Sequence, residues 1–268
     1  MLKQEAGRRV SGEGVYTVII MLVDAHIHFG QYYDRYTSPQ ELKDFLDSVA
    51  VGHFAASSTT ICDSDYDKVI AEVEELIRIC GDRFLPVLWI MPSMLKDGGL
   101  AKFLGTGIVW RCLKIHPQLH PEAWLNDTFE MKSVVSLASS LQIPLLIHTG
   151  EMPGCYPKLY ERLIADYPNV SFILAHGRPL SETIELMKKY PNVWVDTAFM
   201  LTEQIRKLCN EKLSNRVLWG TDYPIIRYYY PDIDMKTYYL DLLQSLRSSV
   251  RPDEFELISE INIGKLFG

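Results

Sequence analysis

The sequence predicts an α/β fold, a single (β/α)8 TIM barrel with a metal site at the C-terminal ends of its strands. Three observations predict it. Strand-length apolar runs recur near residues 23–28, 53–58, 84–91, 108–115, 143–148, 171–176, 193–196 and 216–221, with helical periodicity between them. Eight such units in a chain of 268 residues fit a barrel, which takes about 250. Several runs also end in a residue able to bind metal or move protons, and that end is where barrels carry their chemistry.

The first run ends in Asp24-Ala25-His26-Ile27-His28. Residues i and i+2 of a strand share a face, so His26 and His28 point the same way. Two neutral imidazoles converging on one point begin a divalent metal site. Ser38-Pro39-Gln40-Glu41 then reads as a helix start, with a capping serine, proline at the first position and glutamate three on. A second helix opens at Asp63 or Ser64, with Val69, Ile70, Val73 and Ile77 at helical spacing. The fourth run carries Lys114 and His116, and a helix opens at Asp127. The fifth run ends at His148, the sixth at His176 and the eighth at Asp222. Ser181, with Glu182 and Glu185, opens another helix. Tyr167-Pro168-Asn169-Val170 and Tyr190-Pro191-Asn192-Val193 each close a helix and feed a strand, because proline cannot continue a helix and asparagine tolerates the turn. A doubly wound open sheet is the main alternative, but it usually carries a glycine-rich loop after the first strand, and His28-Phe29-Gly30-Gln31 is not one.

Composition bounds the function. The chain is 47% apolar and 23% charged, as globular proteins are. A net charge of -7 without a basic cluster argues against nucleic acid as a partner. Cys62, Cys80, Cys112, Cys155 and Cys209 are odd in number and lack a CxxC, which reads as reduced thiols and a cytoplasmic location. Arg8-Arg9 followed by Val15 to Val23 mimics a secretory signal. No small-x-small cleavage site follows, and cleavage beyond the run would remove the His-x-His strand. The run is also shorter than the about 20 residues that span a bilayer, so no membrane partner is expected. Met21 is the expected native start, with residues 1–20 a mis-called or dispensable extension before a barrel over 21–268. No Pro/Gly/Ser linker divides the chain. Gln31-Tyr32-Tyr33-Asp34-Arg35-Tyr36 and Arg227-Tyr228-Tyr229-Tyr230 flank the expected mouth, suited either to walling a pocket for a flat or carboxylated substrate or to homo-oligomer contacts.

Several motifs together carry a family resemblance. Asp24-Ala25-His26-Ile27-His28, Leu113-Lys114-Ile115-His116-Pro117, Leu146-Ile147-His148-Thr149-Gly150-Glu151, Leu174-Ala175-His176-Gly177 and Leu218-Trp219-Gly220-Thr221-Asp222-Tyr223-Pro224 resemble the amidohydrolase superfamily. The branch most resembled is the amidohydrolase-related one that includes aminocarboxymuconate-semialdehyde decarboxylase-like enzymes, and Ile261 to Phe267 resembles its closing helix. The resemblance implies His26, His28, His148 and Asp222 as metal ligands, Asp222 also shuttling protons, and His176 as a catalytic group that polarises substrate. It implies one divalent metal, with Zn2+ first and Mn2+, Fe2+ or Co2+ also suited to the donor set. Lys114 aligns with a lysine that is carboxylated and bridges two metals in binuclear relatives. One metal is expected here, with Lys114 and His116 left for a second metal or for substrate. Arg178 stands where the branch often has glycine, and with Tyr223 is a candidate substrate contact. Ile261 and Ile263 depart from the usual residues around Asn262, which reads as packing. The expected activity is hydrolysis of a small amide, lactone or ester through a metal-activated water. The alternative is non-oxidative decarboxylation or hydration of an unsaturated carboxylic acid.

Overall fold

The computed structural model describes residues 21–118, 124 and 129–267. Residues 1–20 and the helix start expected at Asp127 lie outside the described residues. Parallel pairing runs in chain order from β1 (Val23–Tyr32) through β3 (His53–Ser58), β4 (Phe84–Trp89), β5 (Cys112–Ile115), β6 (Leu145–His148), β7 (Phe172–Ala175) and β8 (Val193–Asp196) to β9 (Val217–Leu218). Backbone hydrogen bonds then join the last strand to the first: Ala25 N to Trp219 O at 2.8 Å, Asp222 N to His26 O at 2.8 Å and His28 N to Tyr223 O at 2.7 Å. The sheet thereby closes into the expected TIM barrel. The unforeseen β2 (Arg35–Thr37) folds back antiparallel on the end of β1, so that strand outruns its predicted end.

The helices follow local chemistry. Helix α1 (Pro39–Ser48) starts as predicted, Ser38 Oγ accepting from Glu41 N at 3.1 Å, and it buries Leu42 and Leu46. Helix α2 (Tyr66–Cys80) starts later than expected. A 3-10 turn takes Thr59–Asp63, Ser64 is left-handed, and Asp65 is the cap. Val69 and Val73 face the core, but Leu76 takes the place expected of Ile77, which is exposed. The helix Leu180–Lys189 begins one residue before Ser181 and has no side-chain cap. The two Tyr-Pro-Asn turns are fastened together. Asn192 Nδ2 lies 3.0–3.3 Å from the carbonyls of Ile164, Tyr167 and Val170.

The larger core lies between strands and helices, while a smaller cluster fills the barrel itself. Val23, Ala25, Ala55, Val87, Cys112, Leu146, Ile173 and Leu218 meet there with Ile263 and Phe267 of the C-terminal helix (Asn262–Phe267). That helix plugs the end of the barrel away from the histidines. The buried Asn262 anchors it, Nδ2 donating to Ser214 O at 2.7 Å and Val217 O at 2.8 Å. No helix among the described residues is long and apolar enough to cross a membrane.

Candidate metal centre and active-site cavity

A bulge in β1 prepares the site. Register against β3 shifts between Asp24 and Ile27. Strict alternation would put Asp24 on the face of His26 and His28. Instead Asp24 leaves the barrel interior, while Ala25 packs inside it. The buried Asp24 accepts from His26 N and Thr221 N at 3.2 Å, from Thr221 Oγ1 at 2.7 Å and from Tyr239 OH at 3.1 Å. Burial pushes its carboxyl up to about 7. Asp24 thus ties the first strand to the turn that carries Asp222.

His26, His28 and Asp222 converge and are all buried. Asp222 Oδ1 lies 3.0 Å from His28 Nε2 and 3.3 Å from His26 Nε2. The opposite ring nitrogens fix what those atoms present. His26 Nδ1 is 2.9 Å from Asp196 Oδ2, and His28 Nδ1 is 3.3 Å from Ser57 O. The Asp196 carboxylate only accepts, so His26 Nδ1 carries the proton; His28 Nδ1 also lies 3.1 Å from Ser57 Oγ and, donating to Ser57, leaves its Nε2 lone pair free as His26 does. Asp222 Oδ1 is buried and has no hydrogen-bond donor among the described residues. Two lone pairs and a carboxylate oxygen turned on one point form a cation site, with the outer partners that hold metal-binding histidines in their tautomer. The residues fit a divalent ion. Lys114 reaches the same point, Nζ lying 2.9 Å from His26 Nε2 and 2.8 Å from His28 Nε2. Burial, and then the nearby Lys114 cation, pull both imidazoles well below their ordinary values, so they are neutral. Burial also brings Lys114 down to about 8, against the opposing pull of Asp222 and Asp196.

His148 is not part of this group. Its Nδ1 lies 3.1 Å from His176 Nε2, and its ring stacks on His116 at 3.7 Å between centroids. His176 Nδ1 faces Ala198 O at 3.2 Å, so its Nε2 accepts from His148. His176 Nε2 is 4.0 Å from Asp222 Oδ2. Burial lowers His176 to about 4. His176 and Asp222 both sit in left-handed backbone, at φ 66° and 57°. Such residues cost about 1–3 kcal/mol each, and strain of this kind clusters at working sites. Gly177, at φ 54°, completes the turn after His176; a Cβ there would meet Val195 Cγ2 at 2.6 Å.

These groups open into a cavity of about 490 Å3. His116, His148, Lys114 and Trp89 form one side, Tyr32, Phe199, Tyr229 and Tyr230 also line the cavity, and so does Arg178. Arg178 Nε is buried without a hydrogen-bond partner among the described residues. Both tyrosine-rich loops therefore contribute to the wall. Tyr223, expected to contact substrate, does not reach it. Its buried ring stacks on Phe45 at 3.9 Å, because the turn that aims Asp222 inward sends the next side chain into the helical layer. Asp196 was missed by sequence reasoning. It accepts from His26 Nδ1 and, through Oδ1, from His176 N and Ala198 N at 3.0 Å each. The seventh run, Val193-Trp194-Val195-Asp196, ends in a carboxylate as the eighth does, and that was the available signal. His53 is half-buried and faces Asp82 O at 3.1 Å.

The sequence profile of the amidohydrolase family matches residues 23–268. The chain belongs to the amidohydrolase family. This amidohydrolase has no match among curated proteins. Solved structures share its fold. A probable 2-pyrone-4,6-dicarboxylic acid hydrolase from Acinetobacter baumannii is 15% identical, with a TM-score of 0.68 over 92% of this chain and 99% of that one. The 5-carboxyvanillate decarboxylase of Sphingomonas paucimobilis is 12% identical, with a TM-score of 0.65 over 92% and 99%. The 4-oxalomesaconate hydratase of Rhodopseudomonas palustris is 14% identical, with a TM-score of 0.66 over 92% and 95%. The amidohydrolase family is one of metal-dependent enzymes, and the His26, His28 and Asp222 group is a candidate site for its ion.

Proposed function

We propose that this amidohydrolase is a metal-dependent hydrolase of a small amide, lactone or ester that carries a carboxylate. The supporting observation is the convergence of His26 Nε2, His28 Nε2 and the donor-less Asp222 Oδ1 at the cavity floor. These three would hold the ion, and Zn2+ suits such a set best; His148, a ligand on the resemblance, would have to turn away from His176 to join them. A divalent ion held there would lower the pKa of water toward neutrality and polarise a carbonyl oxygen. Asp222 takes the proton from water and returns it to the leaving group, base first and acid second. His176 lies 4.0 Å from Asp222 Oδ2, its ring fixed through Ala198 O, and steadies the charge that develops on the substrate oxygen. Arg178 lines the cavity and would attract a substrate carboxylate, and Trp89 and Phe199 would flank a flat substrate.

A second reading is favoured by the same aromatic walls: non-oxidative decarboxylation, or hydration, of an unsaturated carboxylic acid. The three solved structures named above are a hydrolase, a decarboxylase and a hydratase on one fold, and fold alone does not select among chemistries. The test is a panel of carboxylated lactones, esters and amides followed by acid release, beside unsaturated and aromatic acids followed by carbon dioxide release. Acid release from the first group supports hydrolysis, and carbon dioxide from the second alone selects the second reading. With the active substrate, Asp222→Asn is expected to lower turnover by about 10²–10⁴, with substrate binding less affected. Activity surviving within a few-fold would remove Asp222 as proton shuttle and pass the role to His176.

A further inference from the structure

We infer that Lys114 is an internal stand-in for the metal, holding the two imidazoles in its absence and leaving their lone pairs when an ion binds. The inference rests on the metal site proposed above and concerns a residue that reading leaves without a role. Lys114 lies at the end of β5 with its side chain buried. Its Nζ is 2.9 Å from His26 Nε2 and 2.8 Å from His28 Nε2, and on another side it stands 4.7 Å from the centre of the Trp89 ring. An ammonium has three donors and no acceptor, and each Nε2 has one lone pair. A lone pair that accepts from Lys114 cannot also ligate an ion at about 2.0–2.1 Å. Uptake is therefore an exchange, ammonium out and divalent ion in, with no bond to carbon made or broken.

The exchange has two consequences. The ligand set is held in order without the ion, since Lys114 satisfies nitrogens that would otherwise be buried acceptors without donors. The displaced ammonium has the cavity as its outlet, because Lys114 already lines it beside Trp89. There it meets the substrate carboxylate, so loading the ion also completes the anion-binding wall. A carboxylated Lys114 bridging two metals is the opposite arrangement, with the side chain a ligand instead of a competitor.

The two differ in sign. Lys114→Met keeps the stem and removes the charge and donors. Zn2+ affinity of the full chain is read by competition with a chromogenic chelator, with no activity measured. If the Lys114-displaced state is about a tenth of the metal-free population, removing the competitor tightens Zn2+ binding by about tenfold. Equal or weaker binding by the variant overturns the inference, and weaker binding identifies Lys114 as a ligand. Should Lys114→Met fail to fold, Lys114→Gln retains one donor pair and is expected to tighten binding in the same direction by less. If wild type and variant alike bind no Zn2+, Mn2+ or Fe2+, the metal site itself falls and this inference with it. Binding by wild type with no gain in the variant removes the Lys114 role alone.

Discussion

Replacing Asp196 by asparagine keeps the shape of the side chain and reverses one hydrogen bond. Asp196 is fully buried, and burial raises its carboxyl above the usual range. Oδ1 accepts from two backbone N–H groups, those of His176 and Ala198, and Oδ2 accepts from His26 Nδ1. An asparagine must leave its oxygen on the two backbone donors, because turning the amide would aim N–H at N–H. Its NH2 then faces His26 Nδ1, which has to become an acceptor. The proton moves to Nε2, and the lone pair that faces Lys114 and Asp222 is lost. Losing such an orienting partner costs about 10- to 100-fold in metal affinity, equivalent to about 1.4–2.7 kcal/mol. Zn2+ titration against a competing chelator reads the loss. The bonds to His176 N and Ala198 N survive, so the loss is confined to the imidazole of His26 and its contact with Lys114. Binding within about threefold of wild type would refute the tautomer argument, because second-sphere losses of the expected kind exceed that.

Two further predictions concern stability. Asn262→Ala removes two buried donors to the carbonyls of Ser214 and Val217 and should destabilise the fold by about 2–6 kcal/mol, at about 1–3 kcal/mol for each group left unsatisfied; denaturant unfolding checks it, and a loss under about 1 kcal/mol would show that water replaces the amide. Asp47 is held below the usual carboxylate range by the hydrogen bond from Lys43 and then by Arg83. Its folded pKa is therefore below its unfolded one, so its contribution is present above about pH 4 and fades as pH falls through the depressed value. Asp47→Asn should flatten the acid limb of the stability curve below pH 4, while changing neutral stability by only about 0.2–1 kcal/mol, as exposed ion pairs do.

The order of strands was legible because its signals are local. Apolar periodicity marks each unit, and Pro-Asn punctuation marks the turns, so residues 143–148, 171–176 and 193–196 read correctly in isolation. The face shared by His26 and His28 was legible for the same reason. The bulge was not, because it depends on what β3 and the Thr221 turn ask of Asp24, and alternation alone groups Asp24 with the histidines. Asp196 was passed over because a carboxylate that acts through a histidine leaves no imidazole at its own strand end. Tyr223 follows Asp222 directly in the sequence, but the left-handed backbone at Asp222 sends the two side chains apart. The pairing of His148 with His176 turns on ring orientation across two strands, and spacing carries no record of that.

The central claim is that one divalent ion sits among His26, His28 and Asp222. The most direct test is a crystal structure of the Zn2+-loaded protein, read by anomalous scattering at the zinc edge. The account predicts a single peak among His26 Nε2, His28 Nε2 and the Asp222 carboxylate, with Lys114 Nζ withdrawn from both imidazoles. No peak in the cavity would contradict it. So would two peaks about 3.5–4 Å apart, the usual two-metal spacing, bridged by a carboxylated Lys114.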